Sequence, residues 1–220
     1  MAAPDPFPGG LRARRLWLGL RGRGGFDSVD TNEFEQAFER FERSIVSSDL
    51  KDVARYWHAI CLGNRLPSWS DIRPSAIKTQ LRIVWCYDYD AVLDDFIGRL
   101  AGVAITGLMK KQFKGARLSE IRPNDKYPRA LERARRVLKE PALYRGHGLV
   151  YKTDDIGGIG ERIVMPLRGA GTAPAGIFGA TAFKSVIDWA HAPSVSDKED
   201  ETWVSLAGMV EMPEAASLAV

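Results

Sequence analysis

The stretch FIGRLAGVAITGLMKKQFKGARLSEI, residues 96–121, decides how the rest of the chain is read. Its first residues are strand-like. At Gly102 they tip into a short amphipathic helix, expected over Ala104 to Phe113, and the segment stops at a second glycine, Gly115. A sheet and a small helix packed so closely often frame a pocket. Upstream lies RIVWCYDY, Arg82 to Tyr89, rich in β-branched and aromatic residues, and AVLDDF supplies the turn that makes the two runs a hairpin.

Downstream, Leu118 to Ile121 reads as a further short turn. A helix is expected from Pro128 to Glu140, with proline in its first turn and a face of arginine, lysine and glutamate. Three strands follow, Ala142 to Thr153, Glu161 to Arg168 and Ala175 to Val186, separated by the turn-rich DDIGG and GAGTAP. Two helices precede the hairpin. One carries Phe34, Phe38, Phe41 and Ile45 on a single stripe; the other carries Leu50, Val53, Tyr56, Trp57 and Ile60 and ends near Gly63. Strands and helices do not alternate regularly, so the expected class is α+β, a five-stranded antiparallel sheet with flanking helices. The expected organisation is a flexible basic Gly/Pro-rich arm over 1–30, an amphipathic helix over 31–49, one domain over 50–190, and a C-terminal helix and tail over 191–220. In that last helix Trp203, Leu206 and Val210 would share a face.

The chain has 220 residues, 45% hydrophobic and 27% charged, with a net charge of +3, which fits one globular core and is too weak a charge to imply nucleic acid. No apolar run approaches the ~20 residues needed to span a bilayer. Leu16-Trp17-Leu18-Gly19-Leu20 is too short for a secretory core and is followed by arginines. Cys61 and Cys86 form neither a disulfide framework nor a metal motif, and a cytoplasmic location is expected.

The pattern resembles a PAS domain, specifically the single-PAS family common in alphaproteobacteria. Tyr56-Trp57, Arg65-Leu66-Pro67, Asp71, Pro74 and Ile77 match that family's opening helix and loop. Gly102-Val103, Phe113-Lys114-Gly115 and Leu118-Ser119-Glu120-Ile121 stand as counterparts of its later Gly-Thr, Leu-Thr-Gly and Leu-x-Glu-Leu motifs with the same spacing between the two glycines, but Val103 replaces the usual threonine and Lys110-Lys111-Gln112 stands in place of Gly-Arg-Asp. The resemblance covers about Leu50 to Val186. It implies a five-stranded sheet whose inner face forms a pocket or a plugged core, used for sensing, ligand binding and dimerisation far more often than for catalysis.

The pocket candidates are Trp85, Phe96, Leu100, Ile105, Met109, Phe113, Met165 and Phe178, with Gly98 and Gly102 leaving space between them. A packed core is favoured over an open cavity, because a domain must bury such residues anyway. The cofactor, if any, is unknown: haem, flavin and metal are all set aside. His58, His147 and His191 have no ligand spacing, although Gly146 and Gly148 beside His147 would admit a close approach. Cys86 lies in Trp-Cys-Tyr, not in the Asn-Cys-Arg setting of flavin photosensors. Asp94-Asp95 and Asp154-Asp155 are read as turn residues and no catalytic motif is present. The stripe Phe34, Phe38, Phe41 and Ile45 must pack on its own sheet or on a second chain, and a homodimer would satisfy it. The basic residues Arg129, Arg133, Arg135, Arg136 and Lys139 are read as a solvated face rather than a docking site for an acidic partner. The expected function is therefore a non-enzymatic sensory or regulatory protein that binds a small ligand or a regulatory partner protein; the alternative is a constitutive interaction scaffold with a filled core.

Overall fold

The computed structural model describes residues 28–63, 65–109, 111–122, 127–152, 156–169, 174–187 and 199–210. The expected basic arm lies almost wholly outside these residues, as do His191 and Asp154-Asp155. Among the described residues a single antiparallel sheet forms the centre of the molecule, in the order β2-β1-β5-β4-β3-β6. Its strands are β1 (Val84–Asp90), β2 (Asp95–Ala101), β3 (Ala142–Lys152), β4 (Ile156–Arg168), β5 (Pro174–Ile187) and β6 (Asp200–Ser205). The helices are α1 (Ser28–Ser44), α2 (Ser48–Ala59), α3 (Val103–Met109), α4 (Leu118–Ile121) and α5 (Tyr127–Lys139). The α+β class and antiparallel sheet are as expected.

The sheet has a sixth strand where a C-terminal helix was expected. Thr202, Trp203 and Val204 are strand-forming residues, and the alternation they create sends Val204 to one face of the sheet and Trp203 to the other. Pairing of Tyr144 with Trp203 puts their rings 4.6 Å apart. Without β6, the edge of β3 would present unpaired backbone groups. Leu206 and Val210 are buried as the expected helix would have required, but from the strand end and the turn that follows it.

Two helices cover one face of the sheet. Ser47 caps α2, accepting from the Leu50 amide, and Leu50, Val53, Ala54 and Trp57 face inward. Phe34, Phe38 and Phe41 of α1 and Ile45 just after it are all buried in the same cluster, with Leu143, Ile163, Met165 and Phe178 from the sheet. Of the two coverings open to this stripe, the chain's own sheet supplies one in full. The turn between α1 and α2 is tied down by Glu161 of β4, whose carboxylate accepts from the amides of Val46 (3.0 Å) and Ser47 (2.8 Å) and pairs with Arg145 at 2.6 Å.

The other face is roofed by α3, α4 and α5. Trp85, Tyr87, Tyr144, Val164 and Ile177 form its floor, and Leu131, Ala134, Val137 and Leu138 of α5 pack upon it. Here sits the space in question.

Candidate functional site

Gly98 and Gly102 do not leave a void. A Cβ at Gly98 would overlap the Phe113 carbonyl oxygen and its ring, and one at Gly102 would overlap the Leu81 and Arg82 backbone. Gly98 donates to Ala116 at 2.8 Å and accepts from Gly115 at 2.7 Å, so the segment joining α3 to α4 is fastened directly to β2. Gly115 takes the left-handed φ of +81° that the return requires. Changing Gly98 to alanine is expected to push this segment off the sheet and destabilise the protein by about 1–3 kcal/mol. Faster hydrogen exchange at the Gly98 and Gly115 amides, beyond any global loss, would check it.

The cavity face instead holds two small, partly open spaces that share Trp85, Tyr87 and Arg122 in their lining. One, of about 10 Å³, is lined by Ile105, Leu108, Met109, Phe113, Tyr151 and Phe183; the other, of about 20 Å³, by Ala130, Arg133, Ala134, Arg162 and Ile177. Each has room for about one water.

The expected pocket residues divide between the two faces. Trp85, Ile105, Met109 and Phe113 line the first space, and Phe96 is buried nearby under Tyr89. Met165 and Phe178 lie on the opposite face, against α1 and α2. The cause is the pleat: Phe178 pairs with Cys86, and both point away from the face shown by Trp85 and Tyr87. Leu100 also pairs with Cys86 and shares its direction. These three residues are therefore removed from the pocket.

What the cavity face contains in their place is charge. Arg162 of β4 is 5% exposed and Arg133 of α5 is 9% exposed, both beneath the helical roof. Glu199 reaches them from the residue before β6, with Oε2 at 3.3 Å from Arg162 Nε and Oε1 at 3.5 Å from Arg133 Nη2. Tyr144 donates to Glu199 at 3.0 Å, and the Arg133 guanidinium lies 4.7 Å from the Tyr144 ring. A Cβ at Gly146 would overlap Glu199 Oε2, so that glycine makes room for the carboxylate. Arg122, after α4, completes the group.

The polar atoms of this group are not all satisfied. Nε of Arg122 and of Arg133 and the Tyr87 hydroxyl are buried without hydrogen-bond partners, and Arg162 Nε has only its 3.3 Å contact with Glu199. Burial pushes the Arg162 and Arg133 guanidiniums down, and for Arg133 the neighbouring Arg162 adds to the shift. Burial pushes the Glu199 carboxyl up, but Arg162, Arg133 and the Tyr144 hydroxyl outweigh it and hold it below the usual glutamate range. Burial raises the Tyr87 hydroxyl to about 12. Glu199 thus pairs with Arg162 and Arg133, Arg122 lies beside Arg162, and a second buried carboxylate, Asp95, lies near Tyr87 and is held by Ser119.

A family model described as a PAS domain matches residues 45–182. The chain belongs to the PAS domain family. Comparison with curated proteins and with solved structures gave no match. In this PAS domain the loop signature Arg65-Leu66-Pro67 with Asp71 is used to dock the chain on β4. The Arg168 amide donates to the Pro67 carbonyl at 2.9 Å, Leu66 is buried, and Asp71 accepts from the Ser68 amide at 2.8 Å and from Arg168 at 3.3 Å. Beside it an open groove of about 380 Å³ is lined by Trp69, Asp88, Arg99 and Arg168, with Arg99 stacked 4.4 Å from the Trp69 ring.

Other expectations are settled by position. The basic residues of α5 are not a free face: Arg133 points inward, Arg135 and Lys139 pair with Asp94, Arg129 pairs with Glu201 at 2.8 Å, and Arg136 stacks 4.1 Å from the Trp203 ring. Asp94 and Asp95 work at the hairpin turn, where Asp94 has a φ of 47° and Asp95 accepts from Ser119 at 2.8 Å. His147 is exposed on β3, and His58 stacks 4.0 Å from the Phe38 ring on the α1 and α2 side. Burial pushes the Cys86 thiol up, on the face away from the cavities. Among the described residues no group of His, Cys, Asp and Glu is arranged to hold a metal, and no helix is long and apolar enough to cross a membrane.

Proposed function

We propose that this PAS protein is a non-enzymatic sensory or regulatory protein of the cytoplasm, which binds a small molecule on the cavity face and signals through protein-protein contacts. The observation that carries the reading is the cluster of Arg122, Arg133 and Arg162 below the α3–α5 roof, in which Nε of Arg122 and of Arg133 is buried without a hydrogen-bond partner. An unpartnered buried polar group is expensive, and a fold whose only task is packing gains nothing from it. The roof can respond, because α3 is anchored by the single buried residue Ile105, while its Val103 is 77% exposed. Thinly anchored elements open at low free-energy cost. A ligand that favours the lifted position would shift α3 and α4, and a regulatory partner or a second copy of the chain would read the shift. Because α1's aromatic stripe is already buried, self-association would use other surfaces.

The small size of the two cavities favours a second reading, a constitutive interaction scaffold with a filled core. Thermal melting across a panel of acidic, nucleotide and neutral metabolites separates the two. A ligand present at 100 times its Kd adds about 2.7 kcal/mol to stability, or about 5–10 °C in Tm for a chain of this size. A saturable rise of that order supports the sensor. A flat response to every class of compound supports the scaffold.

A further inference from the structure

We propose that the arginine cluster is an oxyanion site: a small molecule bearing a carboxylate or phosphate seats its charged group among Arg122, Arg133 and Arg162, where Glu199 is now the resident counter-ion. The inference rests on the reading of the cavity face as a ligand site and names the chemistry that site recognises.

Three observations converge. Glu199 alone does not satisfy the cluster: it reaches Arg162 Nε at 3.3 Å and Arg133 Nη2 at 3.5 Å, and leaves Nε of Arg133 and of Arg122 without a partner. The next carboxylate, Glu201, is taken by Arg129 and by Trp203 Nε1 at 3.3 Å. Arg122 has no carboxylate partner among the described residues, its Nε is buried without a partner, and the residue lines both spaces. A guanidinium presents five donors in a rigid fork, matched to the paired oxygens of carboxylates and phosphates. Lys would supply charge without that geometry.

The first space marks where the rest of the ligand would go once α3 lifts. From Arg122 the apolar space runs toward Ile105, Met109 and Phe113, with Trp85 as its floor. With α3 lifted, an acid with a short apolar body suits this division: charged end between β4 and α5, body beneath α3. Entry requires α3 to lift, consistent with its thin anchoring.

The experiment follows thermal melting of the full chain at fixed ionic strength, with sodium succinate, sodium phosphate and uncharged succinamide as probes and sodium chloride as balancing salt. Succinate or phosphate is expected to raise Tm saturably, whereas succinamide is not; the salt that acts at lower concentration identifies the headgroup. Arg122→Gln, which breaks no internal ion pair among the described residues, is expected to raise the half-saturating concentration by about tenfold or more. Glu199→Gln removes the resident competitor and is expected to lower it by a similar factor. If that variant does not fold in chloride, recovery of a cooperative melt in succinate or phosphate carries the same meaning. An undiminished response in Arg122→Gln, or an equal response to chloride, overturns the oxyanion site. Binding of a neutral panel compound but of neither acid removes this proposal and leaves the sensory reading standing; binding of nothing removes both.

Discussion

Replacing Trp57 by alanine is expected to destabilise the protein by about 3–5 kcal/mol, the range for deleting a large buried aromatic side chain. Trp57 is fully buried between α2 and the sheet, and its indole donates to the Pro166 carbonyl at 3.0 Å. The variant therefore leaves a cavity and also strips a buried acceptor of its partner. A domain whose total stability is about 5–15 kcal/mol would be left near its folding threshold. Denaturant unfolding checks this, and a Trp57→Phe variant separates the two contributions: it retains most of the volume and loses only the hydrogen bond. A loss below about 1 kcal/mol for Trp57→Ala would mean that α2 does not pack as described.

The second large effect is expected at Glu161, remote from the cavities. Its carboxylate is the buried partner of Arg145 and the acceptor for two amides at the turn between α1 and α2. Breaking a buried pair by removing one member costs about 3–5 kcal/mol, because the other charge stays behind uncompensated. Glu161→Ala is expected to lose that much and to loosen α1 first, seen as faster hydrogen exchange at Val46 and Ser47. Asp200 offers the control. It also contacts Arg145, at 3.1 Å, but its side chain is 79% exposed. Asp200→Asn is therefore expected to cost about 1 kcal/mol or less.

The frame of the molecule was legible from residue pattern. Hydrophobic period and glycine position located β1, β2, α2 and α5 closely, and the stripe on α1 correctly demanded an apolar partner. What local pattern could not supply was sheet register. Met165 and Phe178 look like natural companions of Trp85, but their side chains leave the sheet on the other face because β5 pairs Phe178 with Cys86. The segment Thr202 to Ser205 was misread because Trp203, Leu206 and Val210 fit a helical spacing, while its true partner, the open edge of β3, lies about sixty residues earlier.

The arginine cluster escaped for a related reason. Arg122, Arg133, Arg162 and Glu199 come from four separate parts of the chain, and only the folded sheet unites them. Two signals were present nonetheless. Arg162 precedes the apolar run IVMPL inside a strand, and Arg133 lies three residues after Ala130 and four before Val137, on the stripe that α5 buries. A charged residue on a buried face is informative, since such groups are kept inside only when paired or used.

The central claim is that the cavity face of this PAS domain is a ligand site and not a plugged core. The most direct test is mass spectrometry of small molecules released when freshly purified protein is denatured. The account predicts a stoichiometric compound carrying a carboxylate or phosphate, absent from material prepared from the Arg122→Gln variant. Release of no compound, together with a flat thermal response to the metabolite panel, would contradict it and leave a filled scaffold.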